Sequence, residues 1–228
     1  MKFLLQTFNG EIAYDFVFAC RESVIYQNWL GRGYYNWVEV ENIDGLGPGD
    51  IPVGSVLFVQ DYLKQNYNLT VKPRNVPEEL TAHEYSGRNM FNGTEKDVPL
   101  YPWFAKNTDT IKAPYVIDKK DLKPGNYQFS NYMEFTSEWR AFVWRNELVG
   151  LQNYSGDFTE FPSVDRIRAM MLSFNGPCAY TLDVGLHMGD TYVVEVHDFF
   201  SCGLYGFSES IYPIMLCGWF NEFLRNNK

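Results

Sequence analysis

The feature that most constrains the fold is a pair of strand-like segments in the last third of the chain. Ala179 to Val184 and Thr191 to His197 are predicted strands, and Met188-Gly189-Asp190 is a predicted turn between them. Together they predict an antiparallel hairpin. If the turn has three residues, Asp183 and Glu195 lie directly opposite each other, with Cβ atoms about 5 Å apart.

The two facing carboxylates need a positive partner. His197 shares the face of Glu195, because side chains two residues apart point to the same side of a strand. Two carboxylates in a partly buried site repel unless positive charge lies between them. A divalent metal would supply that charge, and these oxygen ligands suit Mg²⁺ that bridges to phosphates. Two alternatives remain: a nearby Lys or Arg neutralises the pair, or a different register turns one carboxylate to water.

Two further clusters carry charged side chains on predicted strands. Glu138, Arg140 and Phe142 share one face, so a carboxylate and a guanidinium stand side by side above an aromatic ring. That arrangement suits ribose hydroxyls and phosphates, although a surface ion pair gives the same pattern. Lys106 ends an apolar strand, and Lys112 follows six residues later. The chain has no Walker loop, GxGxxG or GxSxG sequence.

The rest of the chain alternates between strand and helix signals, which predicts an α/β protein. Strands are predicted at Lys2 to Phe8, Tyr34 to Glu41, Ile51 to Val59, Tyr101 to Lys106 and Tyr115 to Ile117, and a hairpin at Glu138 to Phe142 and Glu147 to Asn153. Helices are predicted at Glu11 to Trp29, Asp61 to Asn66, Ser163 to Asn175 and from Ser208 onward. The polar stretch from Pro73 to Pro99 indicates a long loop or a domain boundary. We therefore expect an N-terminal subdomain of residues 1–98 and a second domain of residues 99–228.

Composition excludes several classes of protein. With 46% apolar and 18% aromatic residues, the 228-residue chain can bury a core, so it is not a disordered chain. A net charge of -9 without a basic run argues against binding to duplex nucleic acid, whereas a nucleotide remains compatible through a bridging metal. The four cysteines are far apart and predict reduced, structural thiols.

No segment predicts export or membrane insertion. The apolar opening breaks at Gln6, and the longest apolar stretch, Ile211 to Phe220, contains Pro213 and Gly218. That stretch is far shorter than the roughly 20 residues that cross a bilayer. We expect a protein of the cytoplasm.

Taken together and in this order, these pieces resemble an ATP-grasp domain. The matching segments are Trp103 to Lys106, Tyr132 to Val143, Tyr180 to Gly185 and Val193 to Asp198. The last two resemble the family's metal-binding hairpin, in which an Asp and a Glu-x-Asn segment hold Mg²⁺ against ATP. Gly203 to Gly206 and Ile51 to Ser55 resemble a compact ATP-grasp subgroup common in bacteria and bacteriophages. The resemblance covers residues 100–228 well and the first half loosely.

The resemblance implies a nucleotide site. Lys106 would contact the α- and β-phosphates, and Lys112 would be a second phosphate contact with a catalytic role. Glu134, in the connector between subdomains, would lie near the adenine. Glu138 would bind the ribose hydroxyls.

The resemblance also implies the reacting centre. Arg140 would be catalytic and would neutralise phosphate or acyl-phosphate charge. Asp183 and Glu195 would be metal ligands, with His197 where the family usually has Asn. A nitrogen ligand suits Mn²⁺ better than Mg²⁺.

The fold implied is an ATP-grasp unit of two α+β lobes behind a small pre-ATP-grasp-like α/β subdomain. The activity implied is an ADP-forming carboxylate–amine ligase that uses ATP and Mg²⁺, or Mn²⁺. Its substrates would be small-molecule or peptide carboxylates and amines, and no oligomeric state is implied. One alternative is a non-catalytic nucleotide- or glycan-binding module, which the 16 Tyr and 6 Trp and the glycine-free loop from Asn107 to Ile111 would suit. A metal-dependent phosphohydrolase is the other.

Overall fold

The structure is a computed structural model that describes residues 1–33, 35–207 and 210–227. The chain divides into two units that do not follow chain order. Unit 1 comprises Met1–Val71, Pro177–Ala179 and Asp198–Lys228, and unit 2 comprises Lys72–Gly176 and Tyr180–His197. The division into residues 1–98 and 99–228 that the sequence suggests remains a prediction.

Unit 1 is built on a parallel sheet of three strands in the order β2-β1-β3. These strands are β1 (Lys2–Gln6), β2 (Asn36–Val40) and β3 (Ile51–Val53). The helices of this unit are α1 (Asp15–Trp29), α2 (Val56–Tyr67) and α5 (Tyr212–Asn226). Phe3, Leu4 and Leu5 on β1 are completely buried. Consecutive buried residues are expected on a central parallel strand, because both faces of the sheet are covered.

Several predicted boundaries in unit 1 are wrong. The strand predicted from Ile51 to Val59 ends at Val53, because the Ser55 hydroxyl accepts a hydrogen bond from the Phe58 N–H and caps α2. A short apolar run cannot by itself distinguish a strand from a buried helix. Helix α1 begins at Asp15 rather than Glu11, because Glu11 and Phe8 exchange backbone hydrogen bonds across a turn. Tyr34 and Ser208, the predicted starts of a strand and a helix, lie outside the described residues.

Unit 2 contains two antiparallel sheets and helix α4 (Val164–Ser173), which Ser163 caps as predicted. The smaller sheet has the order β4-β6-β5, with β4 (Met90–Thr94), β5 (Trp103–Asn107) and β6 (Asn126–Asn131). The larger sheet has the order β10-β9-β7-β8, with β7 (Ser137–Trp144), β8 (Glu147–Gly156), β9 (Ala179–His187) and β10 (Asp190–Asp198). The apolar face of α4 packs on the larger sheet through Ile167, Met170 and Met171.

The smaller sheet is where the sequence prediction fails most. The predicted loop from Pro73 to Pro99 contains β4 and two short helices, Glu78–Leu80 and α3 (His83–Ser86). Strand β6 is not predicted, and the predicted strand from Tyr115 to Ile117 contributes one isolated bridge, between Val116 and Ala105. None of the five side chains of strand β4 is fully buried, so the strand lacks the apolar pattern on which the prediction depends.

The predicted α/β class is confirmed by these mixed sheets and helices. No helix in the described ranges is both long and apolar enough to span a bilayer. Within the described ranges, none of the four cysteines forms a disulfide.

Candidate active site

The β9–β10 hairpin positions three of the predicted site residues. Strand β9 ends at His187 and β10 begins at Asp190, so the turn has two residues rather than three. Met188 and Gly189 have φ angles of 52° and 86°. Positive φ at both central residues is typical of the type I′ turn, whose twist suits a two-residue hairpin.

The alternation of buried and partly exposed side chains shifts by one residue along β10, and this shift compensates for the turn being one residue shorter than predicted. The buried side chains are Thr191 and Val193 near the turn, then Val196 and Asp198 further along. The alternation therefore shifts by one residue, which lets Glu195 face Asp183. A shift of this kind is what one extra residue in a strand produces.

Asp183, Glu195 and His197 form a compact group. One ligand atom from each residue lies within 4.8 Å of the other two. Ligand atoms around one octahedral ion at about 2.1 Å lie roughly 3.0 to 4.2 Å apart, so small side-chain rotations would complete a site. The two carboxylates suit both Mg²⁺ and Mn²⁺, and the imidazole favours Mn²⁺.

Asp183 has a protein cation as its partner. Arg140 Nε donates to Asp183 Oδ1 at 2.8 Å, and Arg140 Nη2 donates to Oδ2 at 2.7 Å. The two residues are 7% and 1% exposed, so this is a buried, bidentate ion pair. Such a pair costs desolvation energy, but each charge becomes strongly unfavourable when its partner is removed.

Glu195 has two partners. Its Oε2 forms an ion pair with Lys106 Nζ, and its Oε1 lies 2.7 Å from His197 Nε2. Burial raises the pKa of the Glu195 carboxyl, but the hydrogen bond and charge of His197, together with Lys106, lower that pKa well below its ordinary value. The cationic alternative considered from the sequence is thus present at both carboxylates. The metal assignment remains a prediction.

The segment around Asn75 brings Lys106 next to Glu195. Val76 exchanges two hydrogen bonds with the side chain of Gln128, which pairs with Lys106 in the smaller sheet. Val196 N–H donates to Asn75 O at 2.7 Å, beside Glu195 in β10. Asn75 Nδ2 also donates to the backbone oxygen of Asn107 at 3.1 Å, so the segment ties the strand of Lys106 to the edge of the larger sheet.

Glu138 lies on β7 and accepts a hydrogen bond from the hydroxyl of Tyr154 on β8, at 2.7 Å. Tyr154 was missed because the predicted hairpin arm ends at Asn153, one residue short. A longer arm would not by itself have placed Tyr154 near Glu138, because the register of the two strands determines which side chains meet. The guanidinium of Arg140 lies 5.7 Å from the centre of the Tyr154 ring, within range of a cation–π interaction.

The other two predicted residues lie in connecting segments. Lys112 is exposed in the loop between β5 and β6, with a left-handed backbone at φ 55°. Glu134 is exposed in the connector between β6 and β7, and its backbone oxygen lies 2.8 Å from His187 Nδ1. Their assigned contacts with phosphate and adenine remain predictions.

Arg88 is a buried cation near the site that the sequence reasoning missed. It is 5% exposed, and its Nη2 donates to the backbone oxygen of Val193 on β10 at 2.6 Å. Burial lowers the pKa of Arg88 to about 10, and the nearby charge of Glu138 opposes this change. Its sequence context between α3 and β4 is polar and without periodicity, so no pattern singles it out.

Comparisons with known proteins identify the fold. A family model described as ATP-grasp domain, R2K clade family 3, matches residues 51–214. A search of curated protein sequences found no match.

Solved structures of ATP-grasp proteins are similar over most or all of the chain. D-alanine–D-alanine ligase from Bacillus anthracis, complexed with ATP, has a TM-score of 0.56 at 12% identity, with 100% of this chain and 99% of that chain covered. A RimK domain ATP-grasp protein from Sphaerobacter thermophilus has a TM-score of 0.54 at 14% identity, with coverage of 99% and 100%. N5-carboxyaminoimidazole ribonucleotide synthetase from Thermotoga maritima has a TM-score of 0.51 at 13% identity, with coverage of 88% and 73%. At these identities the likeness establishes the fold alone.

Proposed function

The chain belongs to the R2K clade of ATP-grasp domains, and on that premise we propose that it is an ATP-dependent ligase that joins a carboxylate to an amine. The observation that carries the proposal is the cluster of charges on four strands of unit 2. Lys106 and Arg140 face Glu195 and Asp183, so two cations and two carboxylates meet at one place. A polyphosphate and its metal need both kinds of group.

Nucleotide binding would use residues from both sheets. Lys106 would contact the α- and β-phosphates, exchanging its carboxylate partner for phosphate oxygens. Glu138 would accept hydrogen bonds from the ribose hydroxyls, and Glu134 would lie at the adenine. Lys112 would be a further phosphate contact, since the loop that contains it follows the strand of Lys106.

Asp183, Glu195 and His197 would hold Mg²⁺ or Mn²⁺. When bound, the metal would supply positive charge to the phosphate groups of the nucleotide. Arg140 holds Asp183 in place through its two hydrogen bonds and adds a positive charge at the same end of the site. Neither role needs a protein nucleophile.

The reaction would have two steps. An oxygen of the substrate carboxylate attacks the γ-phosphorus of ATP, the bond to the bridging oxygen breaks, and ADP leaves with an acyl phosphate remaining. The amine then attacks the acyl carbon, loses a proton, and inorganic phosphate leaves. Such transfers depend on in-line positioning and charge neutralisation, which this site is built to supply. The substrates would be small-molecule or peptide carboxylates and amines.

A thermal-shift titration tests the nucleotide site. ATP with Mg²⁺ or Mn²⁺ should raise the melting temperature, since a ligand at a hundred times its Kd adds about 2.7 kcal/mol. Glu195→Gln should lose the metal-dependent part of the shift. Glu147→Gln, at the exposed β7–β8 turn, is the matched control and should keep it. The absence of any shift in the unchanged protein would refute the proposal.

An activity assay tests the chemistry. Pools of amino acids and peptides are incubated with ATP and hydroxylamine, which converts an acyl phosphate into a hydroxamate. Hydroxamate and ADP formation that depend on a carboxylate would support the ligase. Phosphate release from ATP without any acceptor would instead indicate a metal-dependent phosphohydrolase.

A second candidate is a nucleotide-binding module without ligase activity. The observation that favours it is the bidentate ion pair of Arg140 with Asp183. Arg140 engages both oxygens of Asp183 and therefore competes with the metal that ligase chemistry would need at this carboxylate. Metal-dependent ATP binding with no ADP formed from any substrate pool would support this candidate.

A further inference from the structure

Tyr154 lies inside the site without a role in the chemistry proposed above. The pairing of β7 with β8 changes register there: Glu138 pairs with Ser155, whereas Trp139 pairs with Asn153. Tyr154 is therefore the extra residue of a β-bulge. Bulges occur next to active sites, where they re-aim a side chain.

Asn153 holds this bulge in place. Its side-chain Nδ2 donates to the backbone oxygens of Glu138 and Ser155 and to Ser137 Oγ, at 3.0 to 3.1 Å. One amide thus ties both strands together on either side of Tyr154. The direction of the Tyr154 ring is consequently set by the protein itself.

The Tyr154 hydroxyl holds one oxygen of the Glu138 carboxylate. The hydrogen bond to Oε2 is 2.7 Å long. Burial raises the pKa of Tyr154 well above its ordinary range, and the charges of Asp183 and Glu138 raise it further, so the hydroxyl keeps its proton. In the described part of the chain, no other side chain or backbone group donates to this carboxylate, which leaves Oε1 open.

We propose that Tyr154 is a positioning residue that fixes Glu138 with its open oxygen toward a pair of vicinal hydroxyls, and so sets a preference for ribonucleotides over 2′-deoxyribonucleotides. The inference rests on the proposed function, in which Glu138 binds the ribose. A carboxylate held in one rotamer loses less conformational freedom on binding, and this preorganisation benefits only a ligand with both hydroxyls.

The test compares ATP with 2′-deoxy-ATP by isothermal titration calorimetry in the presence of Mg²⁺. Tyr154→Phe keeps the ring above Arg140 and removes only the donor. Tyr85→Phe is the matched control, because it removes a tyrosine hydroxyl that lies 2.7 Å from Ser173 Oγ in the same unit. The melting temperature of each variant without nucleotide reports whether it is folded.

The unchanged protein should bind ATP about tenfold more tightly than 2′-deoxy-ATP, the size expected of one hydrogen bond to a charged group. In Tyr154→Phe that ratio should fall to about threefold, through weaker ATP binding, while 2′-deoxy-ATP binding stays the same. Tyr85→Phe should keep the full ratio.

A second variant separates positioning from general destabilisation. In a Glu138→Gln background, adding Tyr154→Phe should leave the ratio unchanged, because Tyr154 acts through Glu138. An unaltered ratio in folded Tyr154→Phe would overturn the inference and leave the proposed function standing. Failure of the unchanged protein to bind either nucleotide would overturn both.

Discussion

Replacing Arg140 with methionine should destabilise the protein strongly. The substitution leaves Asp183 on a central strand with 1% of its surface exposed and without its cation. Both hydrogen bonds, of 2.8 and 2.7 Å, are lost. Solvent cannot replace them, because β9 is buried along nearly its whole length.

The magnitude follows from this burial. Removing one partner of a buried ion pair costs about 3–5 kcal/mol, since an uncompensated charge remains. For a chain of this size, each kcal/mol lowers the melting temperature by about 2–4 °C. We therefore expect a loss of about 4 kcal/mol in the free energy of unfolding, with a fall in melting temperature of about 8–16 °C.

Urea denaturation followed by far-UV circular dichroism measures the change. Arg168→Met is the matched control: its partner Asp165 is 3.6 Å away, and the two side chains are 63% and 95% exposed. That exposed pair should contribute no more than about 0.5 kcal/mol. The double variant Arg140→Met with Asp183→Leu should recover most of the lost stability, because apolar replacement of a whole buried pair is often neutral. A loss below about 1 kcal/mol in Arg140→Met would refute the reasoning.

Three further predictions concern Glu195, Lys106 and the cap of α2. The pKa of Glu195 lies below its ordinary 4.5, so the ionised carboxylate stabilises the fold above pH 4.5 and loses this contribution as the pH falls toward the lower pKa of the folded state. In urea titrations, the stability difference between the unchanged protein and Glu195→Gln should therefore shrink progressively as the pH falls below about 5. In the absence of nucleotide, Lys106→Met should strengthen Mn²⁺ binding by about tenfold, because Lys106 no longer competes with the metal for Glu195. Electron paramagnetic resonance titrations measure this affinity. An unchanged affinity would contradict the idea that Lys106 and the metal use the same carboxylate. Ser55→Ala should lower the free energy of unfolding by about 1 kcal/mol, because the Phe58 N–H loses its acceptor. The control is Ser155→Ala, on the exposed end of β8, which should change the free energy of unfolding little.

Local signals predicted several elements correctly. Ser163 caps α4, and Arg145 and Asn146 form the β7–β8 turn with positive φ at both residues. These features depend on interactions within a few residues, so the sequence contains everything needed to recognise them. The resemblance to the ATP-grasp family is also confirmed. It could be recognised from the sequence because each of its motifs is a short segment and the motifs follow one another in a fixed order. The narrower bacterial and phage subgroup remains a prediction.

Features whose signal is spread over distant segments were missed or wrong. The extra residue Tyr154 cannot be located without knowing how β7 pairs with β8, because register determines which side chain meets Glu138. The turn at Met188 and Gly189 is one residue shorter than predicted, and the shift along β10 that offsets it has no local signature. Strand β4 is recognisable as a strand only through its pairing with β6, which begins 36 residues later, because its own residues show no strand pattern.

The sequence by itself determined the residue types of the site, their order along the chain and the mixed α/β class. Only the tertiary structure decided which charged side chains of the site form ion pairs with each other. Arg140 meets Asp183 across 43 residues, and Lys106 meets Glu195 across 89. Local backbone preferences act over a few residues, whereas these contacts depend on sheet order, strand register and the Asn75 segment that joins two sheets. For that reason the sequence left a metal and a protein cation as alternatives at the carboxylates, and the fold placed a cation at each of them.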